Sequence, residues 1–175
     1  IATVSSTQYV LVLHPSVPAN NLQEFIALAK SQPGRLNYGS VGSGGTSELG
    51  IELFNIMAGG KMQRIPYKGS APLMVDLVGG QIQLGFNTPI SSIAHIKSGK
   101  LRAIAISGEN RMSVLPQVPT FAEAGLPGFE MKALYGVSAP AGTPKEIIDK
   151  LSTEFGKILA MPDIKEKLAK QGMDP

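Results

Sequence analysis

Residues 37–48 form the stretch of this chain that best suits ligand binding, because glycines alternate there with hydroxyl side chains. Glycine lets the backbone approach a ligand more closely than a residue with a Cβ. The glycines are Gly39, Gly42, Gly44 and Gly45. Residues 49–57 then carry apolar side chains at helical spacing, so the stretch leads into the unpaired N–H groups and partial positive charge of a helix start.

This pattern predicts an anion site for phosphate or carboxylate. Ser40, Ser43, Thr46 and Ser47 would supply hydroxyl donors, and Gly42, Gly44 and Gly45 would supply backbone N–H groups. A glycine-rich turn with a serine or threonine N-cap explains the spacing equally well. The stretch matches neither G-x-x-x-x-G-K-S/T nor a G-x-G-x-x-G with an acidic partner downstream, so nucleotide binding is disfavoured.

Two further polar groups follow predicted strands. Tyr67 can hydrogen-bond or stack with a ligand, or fill a half-buried core position, and Lys68 can face a carboxylate or simply be solvated. Asn87 and Thr88 place an amide and a hydroxyl at the start of the helix that follows them, where capping and ligand contact are both compatible with the sequence. We expect Tyr67, Asn87 and Thr88 to lie beside the glycine loop.

The residues that catalysis or metal binding would need are sparse. His14 and His95 are the only imidazoles, the acidic residues are scattered, and no G-x-S-x-G motif occurs. With no cysteine, disulfides and thiolate metal sites are excluded. Lysine and arginine do not cluster despite a net charge of +3, and no apolar run approaches the ~20 residues of a membrane span. We expect no enzyme activity, metal, cofactor, nucleic-acid partner or membrane insertion.

Hydrophobic periodicity predicts strands that alternate with helices. The predicted strands are 9–13, 36–40, 62–66, 81–86, 101–107 and 133–139. Short loops between them indicate a mostly parallel sheet in an α/β fold, whose ligands gather beyond the carboxyl ends of the strands. All three loops described above follow such ends.

Several helix starts carry recognisable caps. Asn21 with Glu24 predicts the first helix start, and Ser70 is expected to cap the third helix. Capping boxes are expected at residues 120–123 and 143–146, the second opening a long helix. That helix and a final one from Pro162 show wide apolar faces that few nearby strands can cover.

Seven ordered motifs together resemble the Bug-type periplasmic substrate-binding proteins of tripartite tricarboxylate transporters (TctC-like), and the match runs nearly end to end. The motifs are LNYGSVGSGGTS (36–47), ELF (52–54), PYKGSAP (66–72), DLVGGQ (76–81), HIKSGKLRA (95–103), PQVPTFAEAGLPG (116–128) and APAGTP (139–144). The resemblance implies two periplasmic-binding-protein type II-like α/β lobes that close on a small carboxylate. It also implies delivery of that ligand to membrane permease subunits by a protein that is monomeric when full length.

The resemblance also implies that the chain is a fragment secreted to the periplasm through a signal peptide outside it. Residues 5–130 would form the second lobe and residues 131–175 the returning tail of the first, the rest of which is absent. A ligand-sensing module for a signalling partner is the alternative function, followed by an enzyme using Lys68 or His14. Glu48 stands where relatives often carry histidine. We expect it to point outward, or the ligand to carry a positive group.

Overall fold

The computed structural model describes residues 1–174, which form two β-sheets flanked by helices. The strands are β1 (Ala2–Gln8), β2 (Val10–Leu13), β3 (Asn37–Val41), β4 (Gln63–Tyr67), β5 (Leu84–Asn87), β6 (Arg102–Ile106), β7 (Lys132–Val137) and β8 (Met173–Asp174). The helices are α1 (Leu22–Ser31), α2 (Thr46–Ala58), α3 (Ser70–Val78), α4 (Pro89–Lys97), α5 (Lys145–Ala160) and α6 (Pro162–Lys170). The α/β fold class expected from the sequence is confirmed.

The larger sheet has five strands in the order β4-β3-β5-β2-β6. Strand β3 pairs in parallel with β4 and β5, whereas β2 is antiparallel to both β5 and β6. Strands β3, β4, β5 and β6 therefore point the same way, and the sheet is mostly parallel as expected. The loops that follow β3, β4 and β5 consequently lie at one edge.

The core lies on both faces of this sheet, because successive side chains of β2 pack into two different hydrophobic clusters. Leu11 and Leu13 pack with the cluster that includes helices α1 and α2, whereas Val10 and Val12 pack with the cluster that includes α3. Four phenylalanine rings with centroids 4.1–6.4 Å apart fill the first cluster, and they are Phe54, Phe86, Phe121 and Phe129. This packing fixes α2, and hence the loop that precedes it, against the sheet.

The smaller sheet has the order β7-β1-β8, with β1 antiparallel to both neighbours. Strand β1 was not predicted, because its sequence ATVSSTQ has neither an apolar run nor a sustained alternation of apolar and polar residues, and its strand neighbours, β7 and β8, are distant in the chain. The chain passes from this sheet to the larger one between Gln8 and Val10, and it returns before Lys132. These two crossings lie together at Ser107, because the Met131 N–H donates to the Ser107 carbonyl and the Ser107 N–H donates to the Tyr9 carbonyl, each over 2.9 Å.

The predicted caps had mixed outcomes. The Asn21 cap is confirmed, with the Glu24 N–H donating to its side chain over 2.9 Å. The Thr120–Glu123 pair forms both bonds of a capping box, although a turn rather than a helix follows. The expected Ser70 cap is wrong, because Gly69 is the N-cap and Ser70 is already helical.

The capping box expected at residues 143–146 is also wrong. The Thr143 hydroxyl donates back to the Pro140 carbonyl over 2.8 Å, and Pro144 is the N-cap of α5. Neither α5 nor α6 buries a residue, and Ile147, Leu151 and Ile158 of α5 remain exposed. Among residues 1–174, no helix is long and apolar enough to cross a membrane.

Candidate functional site

The three predicted loops meet at one edge of the five-stranded sheet. Val41 at the end of β3 is opposite Tyr67 at the end of β4, and Gly39 is opposite Gly85 in β5. Because these strands are parallel, the glycine loop, the Tyr67 corner and the Asn87 corner are neighbours. Strand β2 runs the other way, and its first residue, Val10, pairs with Asn87 at the same edge.

The glycine loop needs its glycines for two physical reasons. Gly42 and Gly44 adopt left-handed conformations, with φ of 74° and 73°, which side chains with a Cβ rarely adopt. A Cβ on Gly45 would lie 2.5 Å from the Val41 carbonyl oxygen. Gly45 is the N-cap of α2 and no side chain caps this helix, so a serine or threonine cap does not account for the loop. Thr46 and Ser47 lie in the first helical turn.

Glu48 folds back into the glycine loop instead of pointing outward. Its Oε2 atom lies 3.0 Å from the Ser40 hydroxyl and 3.3 Å from the Gly44 N–H nitrogen. The Arg64 Nε atom lies 3.1 Å from the same oxygen, so an ion pair neutralises the carboxylate. The outward orientation expected from the sequence is therefore wrong, whereas the alternative, a ligand that carries a positive group, stays a prediction.

Arg64 is a member of the site that sequence reasoning missed. It lies in β4, and its guanidinium donates to the Ser40 hydroxyl over 3.1 Å and to the Gly42 carbonyl over 2.9 Å. The only local signal was a charged residue inside a predicted strand, and its link to the glycine loop depends on the pairing of β3 with β4. Ser40 is fully buried under these contacts, so its hydroxyl is held by the protein.

Tyr67 is placed at the edge but its hydroxyl faces helix α3. It donates to Asp76 Oδ2 over 2.7 Å. Burial, followed by this hydrogen bond and the negative charge of Asp76, raises the pKa of Tyr67 to about 12. The hydroxyl therefore stays protonated at neutral pH, and Lys68 beside it is exposed.

Asn87 and Thr88 lie between β5 and α4. The Asn87 side chain is nearly buried, and its amide nitrogen is 3.7 Å from the Met74 sulfur. Thr88 is the N-cap of α4 without a side-chain cap bond, while its carbonyl accepts from the hydroxyls of Ser91 and Ser92. Capping by the Thr88 hydroxyl, the alternative expected from the sequence, does not occur.

Tyr9 is a second residue that sequence analysis assigned only to a buried strand. Its ring stacks on Phe86 with centroids 5.0 Å apart, at the edge where β2 begins. Burial raises the pKa of Tyr9, a hydrogen bond from Thr46 opposes this shift, and the nearby Tyr135 adds to it. Tyr9 therefore lies near both Thr46, at the start of α2, and Tyr135 on β7.

The histidines lie away from this edge. His14 follows the end of β2, which runs opposite to β3, and its N–H donates to the Gln83 carbonyl just before β5 begins. Its Nδ1 atom is 2.7 Å from the Ser16 hydroxyl. His95 lies near the end of α4, beside Ala71 and Val75 of α3. Within residues 1–174, no group of three or more His, Asp or Glu side chains could hold a metal ion.

The whole chain, residues 1–175, matches the model of the TctC family, which is described as 'Tripartite tricarboxylate transporter family receptor'. The chain belongs to this family. It is 35% identical over 175 residues to protein BugT of Bordetella pertussis, covering 100% of this chain and 54% of BugT. The chain therefore spans about half the length of the curated relatives it matches.

Solved structures of family receptors superpose closely on the fold. The structure of Rhodopseudomonas palustris Rpa4515 with adipate has a TM-score of 0.95 at 34% identity, covering 99% of this chain and 58% of that one. MatC (Rpa3494) from R. palustris with bound malate has a TM-score of 0.92 at 30% identity, covering 99% and 59%. These two structures thus hold small carboxylates, and a third similar structure, at 32% identity and a TM-score of 0.92, is that of the periplasmic binding protein BugD. The resemblance inferred from the seven motifs is confirmed.

Two cavities of the described residues lie away from the glycine loop. A cavity of about 500 Å³ lies at the far end of α2, lined by residues that include Glu52, Asn55 and Lys61. A second, of about 360 Å³, lies near the chain crossings and is lined by residues that include Gln8 and Lys132. The loop instead faces outward from the strand ends, with Gly42, Ser43, Gly44 and Thr46 exposed. Its donors are accessible from solvent.

Proposed function

We propose that this chain forms one half of the binding cleft of an extracytoplasmic solute-binding protein that captures a small carboxylated metabolite. One observation carries the proposal: the glycine loop already holds a carboxylate, that of Glu48, through the Ser40 hydroxyl and the Gly44 N–H. The donors that hold this internal carboxylate are of the kind that would recognise a carboxylate ligand.

The donors proposed for the ligand lie on the open side of the loop. Ser43 and Thr46 are exposed, Ser47 is partly exposed, and all three lie at the positive end of α2, although the Thr46 hydroxyl also hydrogen-bonds to Tyr9. The backbone of Gly42, Gly44 and Gly45 permits close approach. Ser40 instead stabilises the loop, since its buried hydroxyl lies within hydrogen-bond distance of the Gly42 carbonyl.

Tyr67, Asn87 and Thr88 are proposed as the rim of the same cleft. Tyr67 offers its ring, because its hydroxyl is bonded to Asp76, and Thr88 offers a hydroxyl that makes no cap bond. Asn87 is almost fully buried and would contact the ligand only through the exposed part of its amide. We therefore expect Thr88 to contribute more to ligand affinity than Asn87.

The proposed ligands are small organic acids or acidic amino acids. The adipate and malate bound by the two superposed receptors support this class. In the full-length protein, most of residues 5–130 would form the second lobe, and residues 131–175 would form the end of the first together with β1, which pairs with β7 and β8. Closure of a monomer in the periplasm would then present the ligand to permease subunits.

Isothermal titration of the full-length protein with malate, adipate and glutamate tests the proposal. We expect saturable binding of at least one acid and recovery of that acid unchanged after prolonged incubation. The double variant Ser43→Ala, Thr46→Ala should show no measurable affinity. A matched control is Ser98→Ala, because Ser98 is a solvent-exposed C-cap serine of α4 and should leave affinity unchanged.

Three outcomes would contradict parts of the proposal. Unchanged affinity in the double variant would exclude the glycine loop as the site. Chemical conversion of a bound acid would replace capture by an enzymatic function. Light scattering that shows a dimer with ligand bound between protomers would exclude the monomeric cleft.

A further inference from the structure

The glycine loop contains one well-formed anion position, and Glu48 occupies it. Three donors converge on the single atom Glu48 Oε2, namely the Ser40 hydroxyl at 3.0 Å, the Gly44 N–H at 3.3 Å and Arg64 Nε at 3.1 Å. A ligand carboxylate could take this position only by displacing the chain's own carboxylate. The remaining hydroxyl donors, on Ser43, Thr46 and Ser47, lie on the outer side of the loop.

The charges of the two side chains cancel at this position. The Glu48 side chain is 17% exposed and that of Arg64 is 33% exposed, so both charges act in a partly desolvated environment. Charges this close to a site attract or repel an anion more strongly than they would in bulk water. An unpaired Glu48 would repel a ligand carboxylate, and an unpaired Arg64 would attract it.

We propose that Glu48 and Arg64 form a charge-balanced pair that sets the affinity of the loop for a carboxylate ligand. The inference rests on the proposed function, since it names the two residues that tune binding at the same site. Glu48 keeps a ligand carboxylate off the Ser40 and Gly44 donors and directs it to the outer hydroxyls. Arg64 cancels the repulsion that Glu48 would otherwise exert.

The test is a double-mutant cycle in the full-length protein, in which Glu48→Gln and Arg64→Gln remove the two charges singly and together. Glutamine keeps a side-chain oxygen that can accept from Ser40 and Gly44 but carries no charge. Titration with malate and adipate should show about tenfold tighter binding for Glu48→Gln and about tenfold weaker binding for Arg64→Gln. The double variant should lie within about threefold of the natural protein, and the single-variant effects should shrink in high salt.

If the Glu48–Arg64 ion pair only stabilised the loop, the affinities of the variants would follow a different pattern. Weaker binding in both single variants, or no change in either, would overturn the proposal while leaving carboxylate binding intact. If malate, adipate and glutamate bind neither the natural protein nor any variant, the proposed function fails and the inference fails with it. Should Arg64→Gln unfold, Arg64→Lys retains the charge and should keep affinity within about threefold. A larger loss in folded Arg64→Lys would assign Arg64 a geometric role and overturn the proposal.

Discussion

The Tyr67 hydroxyl lies 2.7 Å from Asp76 Oδ2, so the end of β4 is bonded to helix α3 at the rim of the candidate site. Tyr67, for which the sequence left ligand contact and a half-buried core position open, thus directs its polar atom into the protein. Replacing it with phenylalanine keeps the ring at the rim and removes the bond. We expect Tyr67→Phe to lower the free energy of unfolding by about 1 kcal/mol and to leave carboxylate affinity nearly unchanged.

The same bond predicts a loss of stability at alkaline pH. The pKa of Tyr67 is raised to about 12 from an ordinary value of 10.0, so the folded state holds the proton more tightly than the unfolded state. This contribution is complete below pH 10 and is lost as the pH rises towards 12. Urea denaturation from pH 8 to 12 should show a shallower decline for Tyr67→Phe. Tyr38, whose pKa is also raised, by burial and its bond to Glu52, should sustain the rest of the decline.

Gly50 in α2 marks the closest packing of this helix on the sheet. A Cβ there would lie 2.5 Å from the Phe86 ring and 2.8 Å from the Met131 sulfur. We expect Gly50→Ala to cost about 1–3 kcal/mol of unfolding free energy because the core must shift. The helical Gly156 has nothing within 4 Å, so Gly156→Ala should stabilise the protein by about 1 kcal/mol. Equal effects of the two variants, measured by chemical denaturation, would contradict this packing.

Glu123 predicts an acid-sensitive contribution to stability. The Thr120 N–H, followed by the Arg111 guanidinium, lowers the pKa of Glu123 from 4.5. The stabilisation is therefore present above the unfolded pKa and is lost as pH falls through the lower folded value. Glu123→Gln should reduce the melting temperature at pH 7 and have a smaller effect at pH 3. A variant effect that does not depend on pH would show that the carboxylate charge is irrelevant here.

Ser107 connects the two chain crossings between the sheets. Its buried hydroxyl accepts from the Tyr9 N–H over 2.8 Å and donates to the Met131 carbonyl over 2.5 Å. Ser107→Ala leaves both groups short of a partner, and we expect a loss of about 1–3 kcal/mol in denaturation experiments. The exposed Ser98→Ala provides the control, and its unfolding free energy should stay within about 0.5 kcal/mol of the natural value.

Elements that depend on local patterns were predictable from the sequence. The alternating strands and helices, the Asn21 cap and the glycine C′ position after α4 all follow from residues close together in the chain. Strands β1 and β8 were missed because their residues carry little strand signal, and only pairing with distant segments orders them. The caps at Ser70 and Thr143 failed because a neighbouring residue took the N-cap position in each case.

The sequence by itself determined that a glycine and hydroxyl loop would open helix α2 at the end of a strand, since spacing and periodicity are local properties. Only the tertiary structure decided what that loop holds. The parallel pairing of β3 with β4 places Arg64 within reach of Glu48, and this neutralisation lets a carboxylate turn into the loop instead of away from it. Charge pairing between segments distant in sequence depends on strand order and register, which the local pattern does not encode.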